Sequence, residues 1–175
     1  LNPDDPNAHT NLAYTLLMAG EIEQGFNQYD NRWKNPEFPS SRRPFRHQIW
    51  RGENPGNKRI LLYMEQGMGD EIMFASMIPD LIAADVRVIL ECDSRLVSLF
   101  KRAFAGITCV AREDPPLIDT TSENVTYQVP SGNLGRWFRA GDADFADGRP
   151  FLVADEVQTH AMRRKYLSGD EHLLI

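Results

Sequence analysis

Cysteine is scarce in this chain. Its 175 residues include two, Cys92 and Cys109. They lie far apart and lack metal-type spacing, so they read as free thiols of a reducing compartment, with a disulfide the lesser alternative. Histidine is nearly as rare, and His9, His47, His160 and His172 form no metal constellation. An excess of basic charge is also missing. The net charge is −6 with no block of like charge, which argues against nucleic acid or an anionic membrane as the main partner. Short basic groups, Arg42-Arg43 and Arg163-Arg164-Lys165, read as solvated faces. No apolar run approaches the roughly 20 residues of a membrane-spanning helix. The opening "LNPDDPNAHT" is polar and acidic, unlike a secretory leader. Together these absences suggest a cytoplasmic protein. An initiator methionine is lacking as well. "LNPDDP" looks like the tail of a preceding unit and "HLLI" like a strand just beginning, so a piece of a longer protein is expected.

What is present is enough apolar residue, 42% of the chain, to bury a core. The apolar positions change rhythm along the chain. Leu12, Ala13, Leu16 and Leu17 fall at helical spacing after Pro6-Asn7, and Gly20 ends the run. "EIEQGFNQYDNRWK" follows, with Ile22, Phe26, Tyr29 and Trp33 on one stripe. Two short helices joined at a glycine make an αα-hairpin over residues 1–36, with the small Ala13 and Gly25 where the helices would touch. Residues 37–58 are rich in Pro, Arg and Asn and read as a connector, anchored by Phe45, Ile49 and Trp50.

From residue 59 to 175 the rhythm is strand, turn, helix. "RILLYM" is a buried strand, Asp70 to about Ala84 a helix, and "VRVILE" a second strand. Ser94 should cap the helix "RLVSLFKRAF", and "ITCV" is a third strand. This βαβαβ order predicts a parallel sheet. Beyond it, "LIDTT" and "VTYQVP" are candidate short strands. "SGNLGRWF" could open a short helix, although a plain loop is the simpler reading of "PSGNLG". "RPFLVA" looks extended, and "DEVQTHAMRRKYL" is a helix. The expected fold is α/β: an N-terminal helical hairpin packed on a Rossmann-like parallel sheet flanked by helices.

The first strand-to-helix turn, "LLYMEQGMGDEIMF" (61–74), carries the chemistry. Such a turn places backbone N–H groups and a helix N-terminus at the C-terminal edge of a sheet, where ligands sit. Phosphate turns carry Lys or Ser; this one carries acids. Gly67 and Gly69 would allow tight backbone geometry and a close ligand. Asp70 falls in the first helical turn, where the helix dipole favours an ionised carboxylate. Two uses of Asp70 are open at this level: a helix cap, contributing about 1 kcal/mol, or a base facing the crevice. Glu71 reads as a complement to the dipole.

Two resemblances sharpen these expectations. "NAHTNLAYTLLMAGEIEQGFNQYDNRW" resembles a tetratricopeptide repeat (TPR), keeping Leu12, Ala13, Gly20 and Tyr29, with Gly25 where Ala is usual. "GEIEQGFNQYDNRW" followed by "IWRGENPGNKRILLYMEQGMGDEIMF" resembles bacterial proteins in which such repeats run into a domain similar to family 9 glycosyltransferases. The heptosyltransferases belong to that family. The likeness is close over residues 8–91 and loose beyond. It implies the acceptor-side, N-terminal half of a GT-B fold, with the nucleotide-sugar donor held by a second half that this chain lacks, and no metal or other cofactor. Asp70 would be the general base. Glu65, Gln66, Gly67, Met68 and Gly69 would line the acceptor site, with Glu65 and Gln66 orienting a hydroxyl. Upstream repeats would offer a surface to protein partners. The chain departs from heptosyltransferases in having Ser76 where they carry Pro, so heptose is not implied.

Two other readings compete. The "EQGMGD" loop, with Glu91 at the end of the next strand as a ribose-binding acid, superficially resembles an S-adenosylmethionine-dependent methyltransferase. The repeat could also make the protein an interaction scaffold whose transferase-like domain is inactive.

Overall fold

The computed structural model describes residues 4–116, 125–145, 148 and 150–167. The segments "LIDTT" and "HLLI", the first three residues and His172 lie outside that set. Helices α1 (Pro6–Met18) and α2 (Ile22–Tyr29) form the hairpin, and a 3-10 turn follows at Asp30–Lys34. Asp5 caps α1 by accepting the Asn7 N–H at 3.0 Å, and Gly20 takes a left-handed φ of 83° between the helices. The small residues sit where the spacing puts them. Ala13 is fully buried, and a Cβ on Gly25 would lie 2.7 Å from Leu17 Cγ.

The sheet has five parallel strands: β1 (Gln48–Ile49), β2 (Arg59–Tyr63), β3 (Arg87–Cys92), β4 (Thr108–Ala111) and β5 (Val125–Pro130). Their order across the sheet is β1-β5-β2-β3-β4. The chain winds outward from β2 through β3 to β4, then places β5 on the other side of β2. The strand order therefore switches between β2 and β5, and their C-terminal ends flank a crevice of the kind that holds ligands in doubly wound folds.

Alternation divides the core. Ile60, Leu62, Met64, Val88, Leu90 and Val129 face one side and pack with Phe74, Ile78, Leu81 and Phe100. These come from α3 (Met68–Ala75), α4 (Ile78–Ala83) and α5 (Val97–Ala103). Leu61, Tyr63, Ile89 and Val125 face the other side and pack with Phe45. No α-helix among the described residues adds a buried side chain to this second cluster. The connector covers it instead, and its fastenings are specific. Arg43 makes two bonds to Glu91, 2.8 and 2.9 Å. Gln128 Nε2 donates to the Phe45 and His47 carbonyls at 2.9 and 2.8 Å. Val125 reaches this face although Tyr127 and Val129 share the opposite one, because the β2–β5 register shifts between Arg59 and Ile60.

Several local expectations change. The connector contributes an edge strand, β1, paired to β5; two residues are too few to show a period. The helix expected over 70–84 begins at Met68 and breaks at Ser76-Met77. There the turns tighten to Ser76 N→Met73 O and Met77 N→Phe74 O. Pro79, near the start of α4, has no N–H to continue the ladder and disfavours an uninterrupted approach. Asp93, not Ser94, organises the entry to α5: its Oδ1 accepts the Arg95 N–H at 2.9 Å. "SGNLGRWF" is helical throughout, a 3-10 turn at Ser131–Leu134 running into α6 (Gly135–Phe138). Residues 150–154 have no regular structure, and α7 (Glu156–Tyr166) follows, capped by Asp155. No helix of the described residues is long and apolar enough to cross a membrane.

Candidate active site at the strand-order switch

The turn after β2 is built on one strained residue. Gln66, not a glycine, takes the left-handed conformation, with φ 64°. Its backbone N–H donates to Ser40 Oγ at 2.6 Å and its side-chain amide to Tyr29 Oη at 2.7 Å. The connector and the hairpin thus hold the turn from both sides. Gly67 is extended at the N-cap of α3, and neither Gly67 nor Gly69 has a positive φ. A Cβ on Gly69 would meet nothing within 4 Å. Gly69 leaves open space above the turn, whereas a Cβ on Gly67 would lie 3.5 Å from Asp70 Oδ2; neither glycine bends the turn through a left-handed φ. Met68 and Gly69 open the helix, and Met68 is exposed.

Asp70 is the third residue of α3, just past the C-terminal end of β2, and is half-buried. Its Oδ2 accepts the Gly67 N–H at 3.1 Å, the acidic half of a capping box. Capping therefore occupies one oxygen. Oδ1 has no hydrogen-bond partner, and Asp70 forms no ion pair, among the described residues.

The other acids at this edge are different. Glu65 is buried, and both its oxygens are held by Arg32, with Nε–Oε1 at 2.9 Å and Nη2–Oε2 at 2.8 Å. Arg32 is itself fully buried; it donates to the Tyr29 carbonyl and to Asn133 Oδ1, each at 2.8 Å, and its guanidinium lies 4.2 Å from the centre of the Tyr29 ring. Asn133 in turn donates to Asp30 at 2.7 Å. Burial raises the Glu65 carboxyl above the usual carboxylate range, opposed by the Arg32 guanidinium. Glu71 is buried between the Asp93 N–H, 2.9 Å away, and Arg112, which also donates to the Met64 carbonyl at 2.8 Å. Burial raises its carboxyl too, with the Asp93 amide and Arg112 opposing. It is a structural ion pair more than a dipole complement. Glu91 is buried against Arg43, and burial again raises its carboxyl.

The structure thus brings Gln66, Gly67, Met68, Gly69 and Asp70 to one open edge and turns Glu65 inward beneath them. Arg32, Tyr29 and Asn133 pack around Glu65 and the turn, and the sequence did not mark Arg32 or Asn133: Arg32 meets Glu65 from 33 positions away and Asn133 from 101. The nearest signal was Tyr29 on the apolar stripe of the second helix. Among the described residues no group of three or more His, Cys, Asp or Glu side chains is placed to hold a metal ion.

No protein-family profile and no solved structure matches this chain. Among curated proteins it is similar to Protein FlbA of Caulobacter vibrioides, 33% identical over 102 residues. The match covers 57% of this chain and 17% of that protein, so the chain spans less than a fifth of the relative's length.

Proposed function

We propose that this chain is the acceptor-side half of a GT-B glycosyltransferase-like protein, related to family 9 and preceded by tetratricopeptide-like repeats. The parent protein acts in the cytoplasm on a hydroxyl acceptor and a nucleotide-sugar donor bound by a second half, with its repeats available to protein partners. The supporting observation is Asp70, a carboxylate just past the end of β2 with one free oxygen and no cationic partner among the described residues, near three carboxylates that each have an arginine. In the reaction the acceptor oxygen attacks the anomeric carbon and the bond to the nucleotide's phosphate breaks. The hydroxyl proton passes to Asp70. The Gly67 N–H fixes the carboxylate at the helix start, so its contribution comes from placement. Gln66 and the open backbone at Gly67–Gly69 would receive the hydroxyl, and Glu65 would act through Arg32 by holding the crevice wall.

The test uses the whole parent protein, a panel of nucleotide sugars and release of free nucleotide. Asp70→Asn should lower kcat by about 10²–10⁴-fold, with an unchanged circular dichroism spectrum. A near-normal rate in a normally folded variant removes Asp70 from the chemistry. A second reading, a non-catalytic scaffold, is favoured by Arg32, whose buried side chain ties Glu65, after β2, to Asn133, after β5. On that reading no nucleotide sugar is consumed by the wild-type protein. The methyltransferase reading would require Glu91 to give up both bonds to Arg43 before it could hold a ribose.

A further inference from the structure

The chain has three tryptophans, and all three line one cavity of about 390 Å³. Trp33 comes from the hairpin's last turn, Trp50 from the residue after β1, and Trp137 from α6. Tyr63 and Pro130, at the ends of β2 and β5, also line it. The size lies within the range of small-molecule sites. The aromatic wall is fixed in place. Trp50 Nε1 donates to the Glu53 carbonyl at 2.6 Å, and the Trp50 and Trp137 rings are 4.7 Å apart at 56°. Gly52, at φ +94°, lets the Trp137 indole sit against the backbone, where any Cβ would collide with it.

Charge around the cavity runs against the acidity of the chain. Arg42, Arg51 and Arg136 line it, with Asp30 as the one lining carboxylate. Asp30 is engaged by Asn133 and lies 3.5 Å from Arg136. Arg42, whose guanidinium sits 5.4 Å from the Trp33 ring centre, and Arg51 have no carboxylate partner among the described residues. Glu53 Oε2 takes only the Arg51 backbone N–H, at 2.7 Å. Two unneutralised guanidiniums beside a rigid aromatic wall suit an anion attached to a ring, since arginine forks match oxyanions and aromatic faces cover rings.

We infer that this cavity is a binding site for a small ring compound carrying an anionic phosphate or carboxylate group, with the anion on Arg42 and Arg51 and the ring against the tryptophans. It does not rest on Asp70, since none of residues 65–70 lines it. Because every tryptophan is in the wall, intrinsic fluorescence reports on it directly. Glucose 6-phosphate and phenyl phosphate should each be titrated into the 175-residue chain, with glucose and inorganic phosphate as controls. At least one ring phosphate should change the emission saturably and bind about tenfold more tightly than either control. Arg42→Gln and Arg51→Gln, both on exposed loop residues, should each weaken that binding several-fold, while Arg163→Gln on α7 should not. The inference is overturned if neither ring phosphate saturates, if inorganic phosphate or glucose binds equally well, or if the double Arg42→Gln/Arg51→Gln variant binds like wild type with an unchanged circular dichroism spectrum.

Discussion

At the scale of single residues, what separates the acids of the sheet edge is the presence or absence of an arginine. Glu65, Glu71 and Glu91 are buried and paired; Asp70 is half-buried and unpaired. Taking one partner from a buried pair leaves an uncompensated charge, so Arg32→Met should cost about 3–5 kcal/mol in urea unfolding at neutral pH. The double variant Arg32→Met/Glu65→Leu should regain most of that loss. The sign with pH follows from Glu65, whose carboxyl burial already holds above its usual range. Folding of Arg32→Met favours the protonated acid, so its deficit should shrink as pH falls and grow as pH rises through the folded pKa. A deficit independent of pH would mean that lost packing, not charge, carries the effect. The cysteines give a second check. Both are buried, and burial pushes the Cys92 thiol up to about 12 and raises that of Cys109. Since the thiolate is the nucleophile, a disulfide-exchange reagent at pH 8 should find almost no reactive thiol in the folded chain and both in guanidinium. Of this scale the sequence showed the acids but not their partners. Glu65 and Asp70 look alike in "EQGMGD", and only a side chain arriving from residue 32 distinguishes them.

At the scale of elements, periodicity located β2, β3, β4, α1, α2 and α7 within a few residues, because each carries its own apolar pattern or cap. It failed where a break or a pairing depends on something else. The helix after β2 divides at Ser76-Met77 ahead of Pro79, and β1 exists only because β5 is beside it. The exit from α4 holds a testable strain. Asp85 is exposed and takes a left-handed φ of 56°, just past the helix end. Asp85→Gly should stabilise the chain by up to about 1 kcal/mol, measured by the denaturation midpoint at constant m-value. A destabilised variant would indicate that the Asp85 side chain contributes more than its backbone costs.

At the scale of the whole molecule, the hairpin is tied to the sheet at several buried points. Tyr29 packs on Phe74 and holds the Gln66 turn, Arg32 bridges Glu65 and Asn133, and α6 approaches so closely that a Cβ on Gly135 would overlap the Phe26 ring. A Cβ on Gly132 would sit 2.6 Å from the Tyr29 ring. Unfolding should therefore be one transition. Far-ultraviolet circular dichroism, which follows the helices, and tryptophan fluorescence, which follows the cavity wall, should give coincident midpoints. Two separated transitions would show that the hairpin unfolds independently of the sheet.

The sequence by itself determined the parallel α/β architecture, the hairpin ahead of it and the place of Asp70 at the start of a helix. Those features follow from local steric preference and from the spacing of apolar residues along the chain. Tertiary structure alone decided which carboxylates are neutralised, which face of the sheet the connector covers and that the three tryptophans meet. Each of these depends on groups dozens of positions apart, brought together by the burial of a common core, and no local pattern encodes such a meeting.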